Sequence, residues 1–356
     1  MAKLFLPGPT NVHPDVLARQ ARPMIGHRSH ACADLIGRIQ PKLRQIFATQ
    51  SRVMLATASG SGLQEAAVRN LVTNRLLVCT CGAFGERWFQ VAQANGIPAD
   101  ALEAPWGQPN LPEDVERALR QQPYDALALV HNETSTGVEN PLAEIAQRAR
   151  SLRPEILILV DAVSSAGGVE LLTDTWGLDV VLTSSQKCFA LPPGMAFAAV
   201  SDRALEKARH VPHRGWYFDF LQMDEYLARN LTPSTPAISL LYALDAQLDR
   251  MLAEGLPARF MRHAAMAAHV QAWAQERFAL LAPDGYRSRT ATTIRNTLGL
   301  DLDALHEHLA QRGMQIADGY GRLKGGTFRI GHMGETTLAD VQALTTAIDA
   351  FLEMAA

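Results

Sequence analysis

Long apolar runs, excess charge, paired cysteines and nucleotide-binding glycine motifs are all missing from this sequence, and each absence excludes a class of function. No run approaches the roughly 18 apolar residues that a membrane-spanning helix needs. The opening Met-Ala-Lys-Leu-Phe-Leu-Pro-Gly is too short an apolar segment for a secretory signal, so a cytoplasmic protein without a membrane partner is expected. A net charge of −3 gives no basic footprint for nucleic acid. The cysteines (Cys32, Cys79, Cys81 and Cys188) include no Cys-x-x-Cys pair and read as free thiols. The histidines lack metal-ligand spacing; His306 and His308 lie two apart on a predicted helix and face different ways. No metal site is expected. Internal repeats and low-complexity stretches are also absent.

What remains is an ordinary globular composition, 47% apolar and 19% charged, in a chain of 356 residues that is long enough for two substantial cores. Strands are predicted at 53–59, 76–81, 126–132 and 155–161, through Val180, Val181 and Leu182, and at 195–200. Helices are predicted at 15–22 and 32–47, after Gly62, at 112–121, and from Pro141 to about Arg153. This alternation predicts a doubly wound, mostly parallel α/β layer. A long helix at 237–253 is broken at Gly255-Leu-Pro257. A second helix at about 258–278 opens a smaller α+β unit with strands at 290–295 and 327–330 and helices at 301–312 and from Leu338. The expected organisation is an extended, proline-rich arm (1–14), a large domain (15–255) and a small C-terminal domain (256–356).

Two strand ends carry chemistry. The strand through Val180–Leu182 runs into Thr-Ser-Ser-Gln and then Lys187, before Leu191-Pro-Pro-Gly194 stops regular structure. Lys187 is either a surface lysine or a Schiff-base lysine, whose amine becomes nucleophilic once desolvation lowers its pKa. The strand Glu155-Ile-Leu-Ile-Leu-Val-Asp161 also ends in a charge. Ligands of parallel sheets sit beyond the carboxyl ends of the strands, so Asp161 and Lys187 should meet at one edge. Pyridoxal phosphate requires that pair: an amine for its aldehyde and a carboxylate for its pyridine nitrogen. Small residues at Ser59-Gly-Ser-Gly62 before a helix offer free amides to an anion. No Gly-x-Gly-x-x-Gly or Walker lysine supports a nucleotide there. Phe84, after the strand at 76–81, is placed either to pack in the core or to stack on a flat ring. His27 and Arg28 lie in a loop, where an arginine is either solvated or grips an anion.

Ser-Gln-Lys-Cys (185–188) with Pro-Pro-Gly (192–194) resembles the class V aminotransferases, most closely the alanine–glyoxylate and serine–pyruvate branch. Further matching stretches run nearly the whole length: Pro-Gly-Pro-Thr (7–10), Gly-His-Arg-Ser (26–29), Ser-Gly-Ser-Gly (59–62), Gly-Ala-Phe-Gly-Glu-Arg (82–87), Glu-Thr-Ser-Thr-Gly-Val (133–138), Asp-Ala-Val-Ser-Ser (161–165) and Phe-Arg-Ile-Gly-His-Met-Gly (328–334). The resemblance implies the fold-type I architecture of pyridoxal phosphate enzymes. It implies a homodimer with shared active sites and an arm that lies across the dimer. It assigns the cofactor phosphate to Ser61 and the Gly62 and Leu63 amides, with Ser234 and Thr235 reaching the phosphate of the neighbouring subunit. Relatives that carry a tyrosine just upstream of that turn differ here, where the chain has Asn230-Leu231. Phe84 would cover the pyridine, without the indole donor of relatives that have Trp. Thr134, Ser165 and Gln186 join the cofactor set, and Arg329 would hold the substrate α-carboxylate.

The implied reaction is ping-pong transamination between small amino acids, alanine or serine, and glyoxylate or pyruvate. A phosphoserine:2-oxoglutarate reaction is the alternative, because a His-Arg pair such as His27-Arg28 resembles the phosphate grip of phosphoserine aminotransferases. A desulfurase would need a histidine before the lysine and a late catalytic cysteine; this chain has Gln186 and no cysteine after Cys188. A non-catalytic subunit would have no reason to keep Lys187, Asp161 and Arg329 together.

Overall fold

The computed structural model describes residues 2–355. Seven strands form the main sheet: β1 (Val53–Ala56), β2 (Leu76–Thr80), β3 (Ala99–Glu103), β4 (Ala126–Val130), β5 (Leu157–Asp161), β6 (Val180–Ser184) and β7 (Ala196–Val200). Their order is β1-β7-β6-β5-β4-β2-β3. Every pairing is parallel except those of β7, which runs antiparallel to both β1 and β6. All strands but β3 are buried along their whole length, as their unbroken apolar runs require. β3 lies at the edge, and its Ala-Asp-Ala-Leu-Glu sequence carried no strand signal.

The reversal at β7 places the chemistry. A parallel successor to β6 would need a long crossover. An antiparallel one needs only the 185–195 loop, which stays at the carboxyl edge of the sheet and carries Lys187. The loop is tied internally by Ser185, whose amide donates to the Met195 carbonyl and whose Oγ donates to the Pro192 carbonyl at 2.7 Å.

Helices cover the sheet largely where expected. The long helix runs Ile238–Glu254 and breaks at Gly255, whose φ is +82°. The next, Leu256–Arg277, begins two residues before the expected start, because Pro257 is favourable in a first turn. Three helices gave no sequence signal strong enough to predict: Ala83–Ala94, Asp202–Arg209 and Phe220–Leu227. Among the described residues, no helix is long and apolar enough to cross a membrane.

A second sheet, Ala279–Leu280, Ala291–Arg295, Thr327–Gly331 and Ala317–Asp318 in that order, is wholly antiparallel. Its core includes Ile294, Phe328, Ile330 and Leu344, and also Phe5 from the N-terminal arm. Lys3–Leu4 pairs in parallel with Met314–Gln315, and Phe5 is 1% exposed. The arm is therefore anchored within its own chain before it crosses to the Lys187 loop. Phe5→Ala should destabilise the protein by about 3–5 kcal/mol, the usual cost of truncating a buried phenylalanine. Urea unfolding measures this, and a loss below about 1 kcal/mol would show the arm to be dispensable to the core.

Candidate active site

β5 and β6 pair with Asp161 opposite Leu182, so the carboxylate ends one strand where the chain after its neighbour turns toward Lys187. A cavity of about 160 Å³ opens at this edge. Ser61, Phe84, Thr134, Asp161, Gln186 and Lys187, all expected at the site, line it together. A larger recess of about 600 Å³ beside Glu139 and Arg289 lies elsewhere and has no comparable nucleophile.

The Lys187 amine is fixed by the arm. Nζ donates to the Pro7 carbonyl, and the next residue, Gly8, passes so close that a Cβ there would lie 2.7 Å from Nζ. With φ at +94°, Gly8 also adopts a backbone conformation that disfavours other residues. Thr10 then clamps the loop: its amide donates to the Gln186 carbonyl and its hydroxyl to the Lys187 carbonyl, both at 3.1 Å. Burial lowers the Lys187 pKa to about 8, and the positive field of Arg329 pushes the same way.

Asp161 is 4% exposed, and burial raises its pKa to about 6. Hydrogen bonds from the Val163 amide at 2.8 Å and Gln64 Nε2 at 2.7 Å oppose that shift. Gln64 sits one turn into helix Gly60–Leu71, and sequence reading did not single it out. Phe84 is positioned by a residue that was also missed. Glu133 is fully buried and accepts from the Phe84 and Gly85 amides at 3.1 and 3.0 Å, capping the start of helix Ala83–Ala94. Arg87, one turn further on, lies over the Phe84 ring at 4.8 Å and donates to Ser61 Oγ at 3.2 Å.

Arg329 faces the same edge from the small sheet. Its Nε donates to the Asp318 carbonyl at 2.8 Å and its Nη1 reaches the Thr134 carbonyl at 3.4 Å. Among the described residues no carboxylate forms an ion pair with it, although it is only 9% exposed. Thr134 Oγ1 bonds Ser164 Oγ at 2.5 Å.

Other expected residues lie apart. The cavity wall at the helix start is Ser59, Gly60 and Ser61, and the Gly62 amide is bonded to the Ser59 carbonyl. Ser165 is buried and does not line the cavity, and its hydroxyl has no partner among the described residues. Ser234 and Thr235 line a separate recess with Tyr217, Phe218, Pro233 and Pro236. Arg28 donates to the Thr232 and Pro233 carbonyls of that same turn, away from Lys187, and His27 is half-buried beside it.

The model of the aminotransferase class-V family matches residues 18–344. The chain is 37% identical to the soluble hydrogenase small subunit of a Synechococcus species, covering 99% of this chain and 93% of that one. It is 33% identical to the L-aspartate–glyoxylate aminotransferase of Paracoccus denitrificans, covering 99% and 91%. The solved alanine–glyoxylate aminotransferase of a Nostoc species superposes with a TM-score of 0.92 at 31% identity, covering 99% and 95%. With this fold, this edge and these matches, the chain belongs to the class V aminotransferases and is a pyridoxal phosphate-dependent transaminase.

Proposed function

We propose that this transaminase moves the amino group of alanine or serine to glyoxylate or pyruvate, in a homodimer whose active sites are shared between subunits. The observation that carries the reading is that Lys187 and Asp161 line one small cavity at the sheet edge, which Arg329 approaches through the Thr134 carbonyl. Both aminotransferase relatives described above have glyoxylate in their names, while their donors differ. The turn with Ser234 and Thr235 stands apart from this chain's own Lys187, which supports a role at a neighbouring subunit's site. Exposed Met24 and Trp216 give that side of the molecule apolar surface to bury.

The cavity suits the cofactor. Among the described residues, Gln64 Oε1, Asn132 Oδ1 and Ser184 Oγ are buried there without hydrogen-bond partners, and the buried Asp161 accepts only from an amide and a carboxamide. Such groups are costly unless a polar ligand completes them. Bound pyridoxal phosphate supplies an aldehyde for an amine and a protonated ring that takes up the electrons left at Cα. Lys187 Nζ would hold the cofactor at its aldehyde carbon and, once displaced by the donor, would take the proton from the donor's Cα and deliver it to that carbon. Asp161 would keep the proton on the ring nitrogen, Phe84 would pack against the ring, and Ser61 would hold the phosphate. Arg329 holds the donor's α-carboxylate, so Cα is presented to Lys187.

Loading of the cofactor-free protein depends on the neutral amine. The loading rate, followed by visible absorbance, should rise as pH increases through about 8 and then level off. Arg329→Met should move that profile to higher pH by removing a repelling cation; a rate still climbing unbroken to pH 10 would contradict the lowered pKa. Asp161→Asn should keep the cofactor but lose at least about tenfold in kcat, since an opposing charge within bonding reach shifts a pKa by about 1–3 units. Wild-type kcat in that variant would remove Asp161 from its role.

Donors assayed against glyoxylate, pyruvate and 2-oxoglutarate test the substrate reading. Alanine or serine should exceed phosphoserine. Arg28→Ala should weaken all donors together or loosen the dimer, because its bonds go to the 232–233 backbone. A loss confined to phosphoserine, about 10- to 150-fold, would favour the phosphoserine:2-oxoglutarate reaction.

A further inference from the structure

Among the described residues, two cations line the cavity at the sheet edge, Lys187 and Arg87. In the reading above Lys187 is committed to the cofactor's aldehyde, and Arg329, which approaches through the Thr134 carbonyl, to the donor's α-carboxylate. Arg87 has no such task, and among the described residues no carboxylate pairs with it. Its guanidinium is held by two hydroxyls and a ring instead. Nη1 donates to Ser61 Oγ at 3.2 Å, Nη2 donates to Tyr320 Oη at 3.1 Å, and the guanidinium carbon lies 4.8 Å from the Phe84 ring centroid. Neutral partners leave the full charge available to an anion, and the planar fork of an arginine suits phosphate.

The chain sets this cation in place from the backbone outward. Arg87 lies in the second turn of helix Ala83–Ala94. Gly85 lets that helix press on β2, because a Cβ there would lie 2.9 Å from the Cys79 carbonyl oxygen. Ser135 Oγ accepts from the Ala83 amide at 3.0 Å, beside the Glu133 cap on Phe84 and Gly85. The bond from Arg87 then joins this helix to the start of helix Gly60–Leu71, where Ser61 stands. Since Ser61 Oγ accepts from Arg87, the hydroxyl's own proton remains to be donated elsewhere. The pair offers one anionic group a cation and a polarised donor together.

We propose that Arg87 supplies the counter-charge for the cofactor's phosphate, so that the site selects pyridoxal phosphate over unphosphorylated pyridoxal. The inference rests on the reading that Ser61 holds that phosphate. A phosphate monoester carries about −1.5 to −2 charges at neutral pH, whereas a helix start offers only about half a positive charge. Hydroxyls and amides solvate such a group without neutralising it, and a charge desolvated without a partner is strongly unfavourable. The bond to Ser61 sets Arg87 at the phosphate end of the cavity, which favours the phosphate over a second carboxylate on the donor.

The test is a titration of the full-length protein, stripped of cofactor, with pyridoxal phosphate and with pyridoxal, read from the visible band. Both compounds carry the aldehyde that Lys187 takes, so the ratio of their dissociation constants isolates the phosphate. Arg87→Gln should cut the preference for the phosphorylated form by about 10- to 150-fold, the worth of one charge-assisted contact, with pyridoxal bound as in wild type. Arg87→Met keeps an unbranched stem and should show the same fall if the glutamine variant does not fold. Arg87→Lys keeps the charge and should keep most of the preference. Ser61→Ala should lower the preference as well. A fall in Ser61→Ala alone overturns the role of Arg87 and leaves the phosphate at Ser61. No fall in any of these variants overturns both. An intact preference in Arg87→Gln, with a loss confined to turnover of aspartate, would assign Arg87 to a donor carboxylate and overturn the proposal.

Discussion

The active centre depends on taking one amine out of water. A lysine on an exposed loop stays protonated and inert at neutral pH; Lys187 is brought to a pKa of about 8 by burial first and by Arg329 second. Each neighbouring feature serves that burial. The antiparallel return of β7 keeps the loop at the sheet edge. Pro7 gives the amine a carbonyl, Gly8 leaves room for the arm to lie directly on it, and Thr10 fixes the loop's backbone. Anchoring Phe5 in the core beside the second sheet holds that arm in place.

The same edge collects other charges at a cost that the sheet alone does not offset. Asp161 and Glu133 are both buried carboxylates with raised pKa values, and burial is the leading cause for each. Glu133 is compensated by a helix start and a serine, and it acts as a fixed structural part. Asp161 has no such enclosure, since among the described residues only Val163 and Gln64 donate to it. A carboxylate buried with spare acceptor capacity beside unpartnered Ser184 and Asn132 oxygens marks the place for a ligand with polar and cationic groups.

The fold and the centre of the site were legible because they rest on patterns that sequence records directly. Buried parallel strands are written as unbroken apolar runs, and the polar residue that ends each run is a candidate for the carboxyl edge; Asp161 and Lys187 were found that way. The edge strand Ala99–Glu103 was invisible because one unpaired side lets it carry polar residues. Helix Ala83–Ala94 was hidden by Gly85 near its start and by the buried cap from Glu133, a contact across 49 residues. Gln64 donates to a distant partner, Asp161, which local spacing does not encode. Ser234 and Thr235 came from resemblance and Arg28 from its place in a loop, and the single chain keeps them together but away from its own Lys187.

The central claim is that Lys187 is the amine that carries the cofactor. Borohydride reduction of the cofactor-loaded protein, followed by digestion and mass spectrometry of the peptides, tests it most directly. The account predicts a phosphopyridoxyl mass increment on the peptide containing Lys187 and on no other. An increment on Lys3, Lys42, Lys207 or Lys324 instead, or none on a protein that binds and turns over the cofactor, would contradict it.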